Sequence, residues 1–146
     1  MSELIVTRDA LCELIPHAGD MCLLDGVEFW DEADIRCISL SHRRASNPLR
    51  AGGCLSAVYA VEYGAQAMAV HGALMSGAAP VHGYLAGLRE VKLHCERLDT
   101  VDGALHVFAR RLVGGSSSFL YEFTLTGRDM LVATGRLAVV GSGEHP

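Results

Sequence analysis

One stretch of the chain constrains the fold more than any other. Between Ala51 and Leu88, Glu62 is the only aspartate, glutamate, lysine or arginine. The length and alanine content of residues 55–75 predict a helix, with Ser56 as a suitable N-cap. Small and apolar residues lie on every side of it, which is typical of a helix buried in a core. They are Ala57, Val58, Ala60, Val61, Gly64, Ala65, Ala67, Met68, Ala69 and Val70.

The segments on either side of this helix have the pattern of strands. Two extended segments are predicted before it, over residues 21–30 and 35–40, followed by a loop over 41–53. A short helix is predicted over residues 8–14, because Pro16 stops it. After the long helix, apolar and polar residues alternate in about four runs separated by glycine-containing turns. Their alternating residues include Val91, Leu93 and Cys95; Leu105, Val107 and Ala109; Phe119, Tyr121, Phe123 and Leu125; and Leu131, Ala133, Leu137 and Val139.

This order of elements predicts an α+β fold in which one antiparallel sheet wraps around one long helix. The sheet supplies apolar cover for a helix that has no polar face. The 146 residues suit a single domain over residues 1–146. One sheet does not seal both ends of such a helix, so we expect two sheets to pair edge to edge in a dimer.

Charge and cysteine content exclude several classes of function. A net charge of −5 and a pI near 5.7 argue against nucleic acid or an anionic membrane as the main partner. No apolar signal-peptide region is visible, so we expect a cytoplasmic protein. Glu62, Gln66 and His71 would lie at membrane depth if the helix were a membrane span, which argues against that interpretation. The five cysteines are odd in number, widely spaced and without a C-x-x-C pair, which predicts free thiols rather than disulfides or a zinc site.

Glu62 is the strongest candidate for a chemical group. Burying a carboxylate costs several kcal/mol unless it is hydrogen-bonded, paired or protonated. Gln66 lies one helical turn further on the same face and could orient it. A glutamate that only bonds backbone across a dimer interface is the structural alternative. We favour a proton donor or acceptor, because glutamine or alanine would fill a structural position at lower cost.

Several motifs resemble a known family. Leu14-Ile15-Pro16-His17, followed by Met21 and Leu23-Leu24-Asp25, is similar to the N-terminal signature of FabZ-type 3-hydroxyacyl-acyl-carrier-protein dehydratases. Glu62-Tyr63-Gly64-Ala65-Gln66-Ala67 resembles the E-x-x-A-Q stretch of their central helix, and Gly83-Tyr84-Leu85-Ala86-Gly87 the strand after it. Ser41-His42-Arg43, Asn47-Pro48-Leu49-Arg50 and residues 61–72 resemble the ApeP-like branch, which is associated with aryl polyene clusters. The resemblance implies a hot-dog fold.

The chain departs from the family pattern at one catalytic position. FabZ-type proteins carry a catalytic histidine in an H-F-P-G-x-P loop before the helix, and Pro48 stands at that place here. The resemblance implies a His/Glu pair contributed by two subunits, so another histidine must substitute. We favour His17, whose motif is better preserved, and retain His42, in the loop before the helix, as the alternative. His71 is expected to be a packing or interface residue.

The resemblance also implies the remaining parts of the site. Gln66 and His42 would contact substrate, and Gly53 and Ala57 are small enough for an acyl chain to approach the helix N-terminus. Free backbone N–H groups there would bind the thioester oxygen. Arg43, Arg44 and Arg50 could receive an acidic acyl carrier protein or its phosphopantetheine phosphate, although a solvated loop explains them equally well. No cofactor and no metal are expected, since neither a dinucleotide fingerprint nor metal-ligand spacing is present.

Three functions remain open. The first is a dehydratase of fatty acid or aryl polyene synthesis that converts a 3-hydroxyacyl thioester to the trans-2-enoyl form. The second is a weak or inactive hot-dog subunit of a heterodimeric dehydratase, which the missing loop histidine suggests. The third is an acyl thioesterase, because one fold hosts several chemistries. The E-x-x-A-Q stretch favours the first over the third.

Overall fold

The computed structural model describes residues 3–15, 19–77, 83–114 and 118–141. In that part of the chain, seven strands form one antiparallel sheet. Its order is β1-β2-β3-β5-β6-β7-β4, with β4 at one edge. The strands are β1 (Val6–Thr7), β2 (Gly26–Trp30), β3 (Asp34–Ser39), β4 (Gly83–Leu93), β5 (Leu105–Gly114), β6 (Ser118–Gly127) and β7 (Met130–Gly141). The helices are α1 (Arg8–Cys12) and α2 (Ala60–Met75), with 3₁₀ turns at Gly19–Met21, Ser41–Arg43 and Ala57–Tyr59.

Helix α2 ends where the sequence predicts but begins later. Leu55 and Ala57 pair with a neighbouring segment instead: the Leu55 amide donates to Oδ1 of Asp99 (2.7 Å) and the Ala57 amide to the Glu96 carbonyl (3.0 Å). These contacts accompany an extended Ser56 and a 3₁₀ turn over Ala57–Tyr59, so α2 begins at Ala60. At its C-terminus, Gly77 has a φ of +81°, the left-handed conformation that glycine adopts after a helix.

One face of α2 packs against the inner face of the sheet. Its contacts are with β3, β5, β6 and β7. Phe123 of β6 lies between two glycines, Gly64 on α2 and Gly135 on β7, and neither position has room for a methyl group. Helix and sheet therefore approach closely at Gly64. Nine helix residues are buried: Ala60, Tyr63, Gly64, Gln66, Ala67, Met68, Val70, His71 and Ala73.

The opposite face of α2 is less enclosed than its composition predicts. Val61, Glu62, Ala65 and Ala69 are half-buried, so one chain does not cover the helix on all sides. None of the described helices is long and apolar enough to cross a membrane.

The cysteine pattern predicts five free thiols, and the structure corrects this. Cys12, at the end of α1, forms a disulfide with Cys22. Arg8 brings the two segments together, because its guanidinium donates to the carbonyl oxygens of Gly19 (3.1 Å) and Cys22 (2.8 Å). The remaining cysteines, Cys37, Cys54 and Cys95, are free.

Three predicted elements are shorter in the structure. The extended segment predicted from residue 21 becomes a strand only at Gly26. The helix predicted over residues 8–14 spans Arg8–Cys12. The strand predicted to continue to Cys95 ends at Leu93, after Glu90 takes a positive φ of 54° and the pairing with β7 shifts register.

Candidate active site

Glu62 lies in the first turn of α2, with a half-buried side chain. Gln66, one turn further along, points its Nε2 toward Glu62 Oε1 at 3.5 Å. The structure thus brings together the two helix residues that the sequence predicts to act together. His17, the predicted partner of Glu62, lies outside the described residues.

Gln66 joins the helix to the segment that precedes β2. Its side chain is 1% exposed and fully hydrogen-bonded. Oε1 accepts from the Leu23 amide (2.9 Å), and Nε2 donates to the Met21 carbonyl (2.8 Å). Three residues separate this segment from His17 in the sequence. Gln66 therefore fixes the position of this segment relative to the start of α2.

His42 is completely buried in the loop after β3. Its Nε2 lies 3.0 Å from the Val101 carbonyl oxygen, so Nε2 carries the proton and donates. Nδ1 is buried and has no hydrogen-bond partner among the described residues. Burial, which disfavours the charged imidazolium, lowers the pKa of His42 below its ordinary value of 6.5. This environment matches a histidine held by backbone.

Two small residues are predicted to leave room for an acyl chain beside the helix, and only one of them is exposed. Gly53 is exposed in a tight turn with a φ of +79°, where a side chain would be strained. Ala57 is 1% exposed, within the 3₁₀ turn that leads into α2. Arg50 holds the turn by donating to the carbonyls of Gly53 (2.8 Å) and His42 (3.0 Å).

The prediction of free N–H groups at the helix N-terminus is wrong. The Ala57 amide donates to the Glu96 carbonyl, the Val58 amide to Oγ of Ser56 (3.2 Å), and the Tyr59 amide to the Ser56 carbonyl (3.1 Å). Ser56 does cap this end, as predicted, but it caps the 3₁₀ turn. These donors are satisfied within the chain, so they are not available to a thioester oxygen.

Two of the clustered arginines form ion pairs. Arg43 lies 3.1 Å from Asp102, and Arg44 lies 2.7 Å from Asp25. Their side chains remain 46% and 40% exposed. The cluster thus ties the loop to the segments that precede β2 and β5, while two guanidinium groups stay accessible. In the part of the chain that the structure describes, no group of three His, Cys, Asp or Glu side chains could hold a metal ion.

A buried set of polar groups adjoins the site, and the sequence did not single it out. Ser39, Ser41, Asn47 and Tyr63 are each at most 5% exposed and hydrogen-bonded to one another. Burial raises the pKa of Tyr63 above its usual value of 10, so its hydroxyl keeps its proton. The signals in the sequence were Tyr63 next to Glu62, and Ser41 and Asn47 in the motifs that resemble the ApeP-like branch.

The same fold occurs in several solved structures. The dehydratase heterocomplex ApeI:P from Xenorhabdus doucetiae is 21% identical, with a TM-score of 0.80 over 92% of this chain and 91% of that chain. AziG from S. sahachiroi is 13% identical, with a TM-score of 0.61 over 83% and 91%. A mutant of thioesterase PA1618 from Pseudomonas aeruginosa is 17% identical, with a TM-score of 0.58 over 80% and 81%. No curated protein sequence matches the chain.

The antiparallel sheet around one long helix, together with these similarities, defines a hot-dog-fold protein, as the sequence motifs predicted. The model of the ApeP-like family, described as ApeP dehydratase, matches residues 10–145. The chain therefore belongs to the ApeP-like dehydratase family.

Proposed function

We propose that the chain is a 3-hydroxyacyl-[acyl-carrier-protein] dehydratase of fatty acid or aryl polyene synthesis, acting in the cytoplasm. It would remove water from a 3-hydroxyacyl thioester to give the trans-2-enoyl thioester. One observation carries the proposal: in a member of this dehydratase family, Glu62 lies half-buried at the start of the central helix, with the Gln66 amide beside it.

The proposed chemistry needs two proton transfers and no redox step. His17 removes the α-proton, and the electron pair of the broken C–H bond forms the new double bond. Glu62 donates a proton to the β-hydroxyl group as the C–O bond breaks, and water leaves. Two groups of opposite protonation state suffice, which is why a carboxyl and an imidazole suit the reaction.

The test is turnover of a 3-hydroxyacyl thioester by the purified chain, followed by the absorbance of the conjugated enoyl product. Glu62→Gln keeps the size of the side chain but removes its acidic proton, so we expect a loss of about 10²-fold or more in kcat. Glu32→Gln, an exposed position on the β2–β3 turn, is the matched control and should retain full activity. Full activity in Glu62→Gln would exclude this mechanism.

The two candidate histidines need a separate comparison. His17→Gln should abolish turnover if His17 is the base. His42→Gln should change stability more than kcat, because His42 is buried and donates to the Val101 carbonyl. The opposite result would assign the base to His42.

Acyl carrier protein is the proposed partner, and Arg43 and Arg44 are its proposed contacts. Both guanidinium groups remain partly exposed on an otherwise acidic chain. Arg43→Glu should raise KM for a carrier-bound substrate and leave KM unchanged for a small thioester such as an N-acetylcysteamine derivative. An equal change for both substrates would count against docking at this loop.

The second candidate is a subunit of a heterodimeric dehydratase. Two observations favour it: Pro48 stands at the family's histidine position, and a heterocomplex shares this fold with a TM-score of 0.80. Strand β4 lies at the sheet edge with Leu88 and Leu93 exposed, so its unpaired backbone could extend the sheet into a partner.

Co-expression with another dehydratase-like chain distinguishes the two functions. A subunit would be inactive by itself and would elute with its partner as one stable complex, measured by size-exclusion chromatography with light scattering. Vigorous turnover by the purified chain, as a homodimer, would exclude the subunit role. Release of free thiol from acyl thioesters would instead indicate a thioesterase.

A further inference from the structure

We propose that Tyr63 is a positioning residue: a one-directional chain of buried hydrogen bonds from Asn47 through Tyr63 to Leu23 holds the Glu62–Gln66 pair in place. The proposal deepens the dehydratase function and rests on it.

The direction of the chain follows from its two ends. Oδ1 of Asn47 accepts from the Leu49 amide (2.9 Å), so its Nδ2 faces Tyr63 as a donor (3.3 Å). At the other end, the Leu23 carbonyl accepts only, so the Ser39 hydroxyl must donate to it (2.6 Å).

The two middle bonds are then determined. The Ser39 hydroxyl donates its only proton to the Leu23 carbonyl, so the Ser41 hydroxyl must donate to Ser39 Oγ (2.9 Å). The Ser41 hydroxyl proton is then also used, so the Tyr63 hydroxyl must donate to Ser41 Oγ (2.8 Å). Each hydroxyl therefore donates one hydrogen bond in a fixed direction, and all of these groups are buried. Such a directed network strengthens its own members and allows one geometry.

The backbone of Leu23 connects this chain of bonds to Glu62: the Leu23 carbonyl accepts from Ser39, and the Leu23 N–H belongs to the adjoining peptide group. The Leu23 amide donates to Gln66 Oε1, which fixes the orientation of that side-chain amide. Nε2 of Gln66 must then face the Met21 carbonyl and Glu62 Oε1. A hydrogen-bond donor is thereby presented to Oε1 of Glu62, and the backbone on both sides of the Leu23 Cα is held by a hydrogen bond.

The test compares two tyrosines. Tyr63→Phe removes the central hydroxyl and keeps the buried ring. Tyr121→Phe is the matched control, because Tyr121 is equally buried and its hydroxyl bonds His71 (2.6 Å), outside this chain of bonds. We expect similar losses of thermal stability in the two variants. Only Tyr63→Phe should lower kcat, by about 10-fold with KM within a factor of two, because a misplaced catalytic group costs turnover rather than binding.

A second measurement does not depend on activity. Native-state amide hydrogen exchange, followed by NMR, reports on the Leu23 N–H. Exchange at Leu23 should be about 10-fold faster or more in Tyr63→Phe and in Ser39→Ala, and unchanged in Tyr121→Phe. Unchanged exchange in Tyr63→Phe would overturn the proposal even if the chain proved not to be a dehydratase.

The kcat measurement can also overturn the proposal. If Leu23 exchange accelerates but kcat of Tyr63→Phe stays at the wild-type value, the bonds exist but do not position Glu62, and the proposal fails. It fails equally if Tyr121→Phe lowers kcat as much as Tyr63→Phe does, because kcat would then follow stability alone. Wild-type inactivity towards 3-hydroxyacyl thioesters would overturn the dehydratase function, and with it the positioning role.

Discussion

The two glycines of helix α2 provide a quantitative test of how the helix packs. A methyl carbon added at Gly64 would lie 2.6 Å from Cγ and 2.9 Å from Cβ of Phe123. These atoms are the ones nearest the backbone of Phe123, so rotating the ring does not relieve the contact. The backbone of α2 or of β6 must shift instead. At Gly72, two turns further along, no described atom outside the helix's own backbone lies within 4 Å of the added methyl.

The two substitutions therefore have opposite expected effects. Alanine is favoured over glycine within a helix by about 1 kcal/mol, and Gly72→Ala should gain most of this. Gly64→Ala has the same gain but forces a core overlap that costs up to about 3 kcal/mol, leaving a net loss of about 2 kcal/mol. In a chain of this size, about 1 kcal/mol corresponds to 2–4 °C in Tm. The two variants should therefore differ by roughly 6–12 °C in Tm.

Differential scanning calorimetry or urea unfolding followed by circular dichroism would measure the difference. The variants must first be matched in oligomeric state by size-exclusion chromatography, since association alters apparent stability. Equal shifts for the two variants, or a stabilised Gly64→Ala, would refute the close approach of helix and sheet at Phe123.

Three further outcomes are expected. Burial lowers the pKa of His42 and of His71 below 6.5, so the unfolded chain binds more protons than the folded one as the pH falls. The free energy of unfolding should therefore be highest above pH 6.5 and fall as the pH drops below it. A urea midpoint that stays constant between pH 7.5 and 5.5 would contradict this. Thiol titration in denaturant should find three free thiols of the five cysteines, rising to five on reduction of Cys12–Cys22, and reduction should cost about 3 kcal/mol for a loop of this length; five thiols before reduction would show that the bond is absent. Leu88→Lys on the β4 edge should dissociate a dimer without lowering the Tm of the monomer, so an unchanged oligomer would place the interface elsewhere.

The sequence by itself determined the helix and its single carboxylate. An alanine-rich run with one charge has few stable locations other than a core, and a period of two after it indicates strands, because both signals are local. Glu62 and Gln66 were paired correctly for the same reason: they are one helical turn apart on one chain segment.

Tertiary structure decided what depends on distant contacts. The α-helix begins only at Ala60 because residues 96–99 accept hydrogen bonds from Leu55 and Ala57, and a 3₁₀ turn precedes it. Cys12 and Cys22 form a disulfide where Arg8, on the helix of Cys12, donates hydrogen bonds to the carbonyl oxygens of Gly19 and Cys22. The sequence shows Tyr63 as a polar residue in a mostly apolar helix. That its hydroxyl donates to Ser41 follows only from groups as far as 40 positions away along the chain, Leu23 among them. No local pattern records such a network, because the bonds that connect Tyr63 to Ser41 and to Asn47, and Ser39 to Leu23, join residues that only the folded chain brings together.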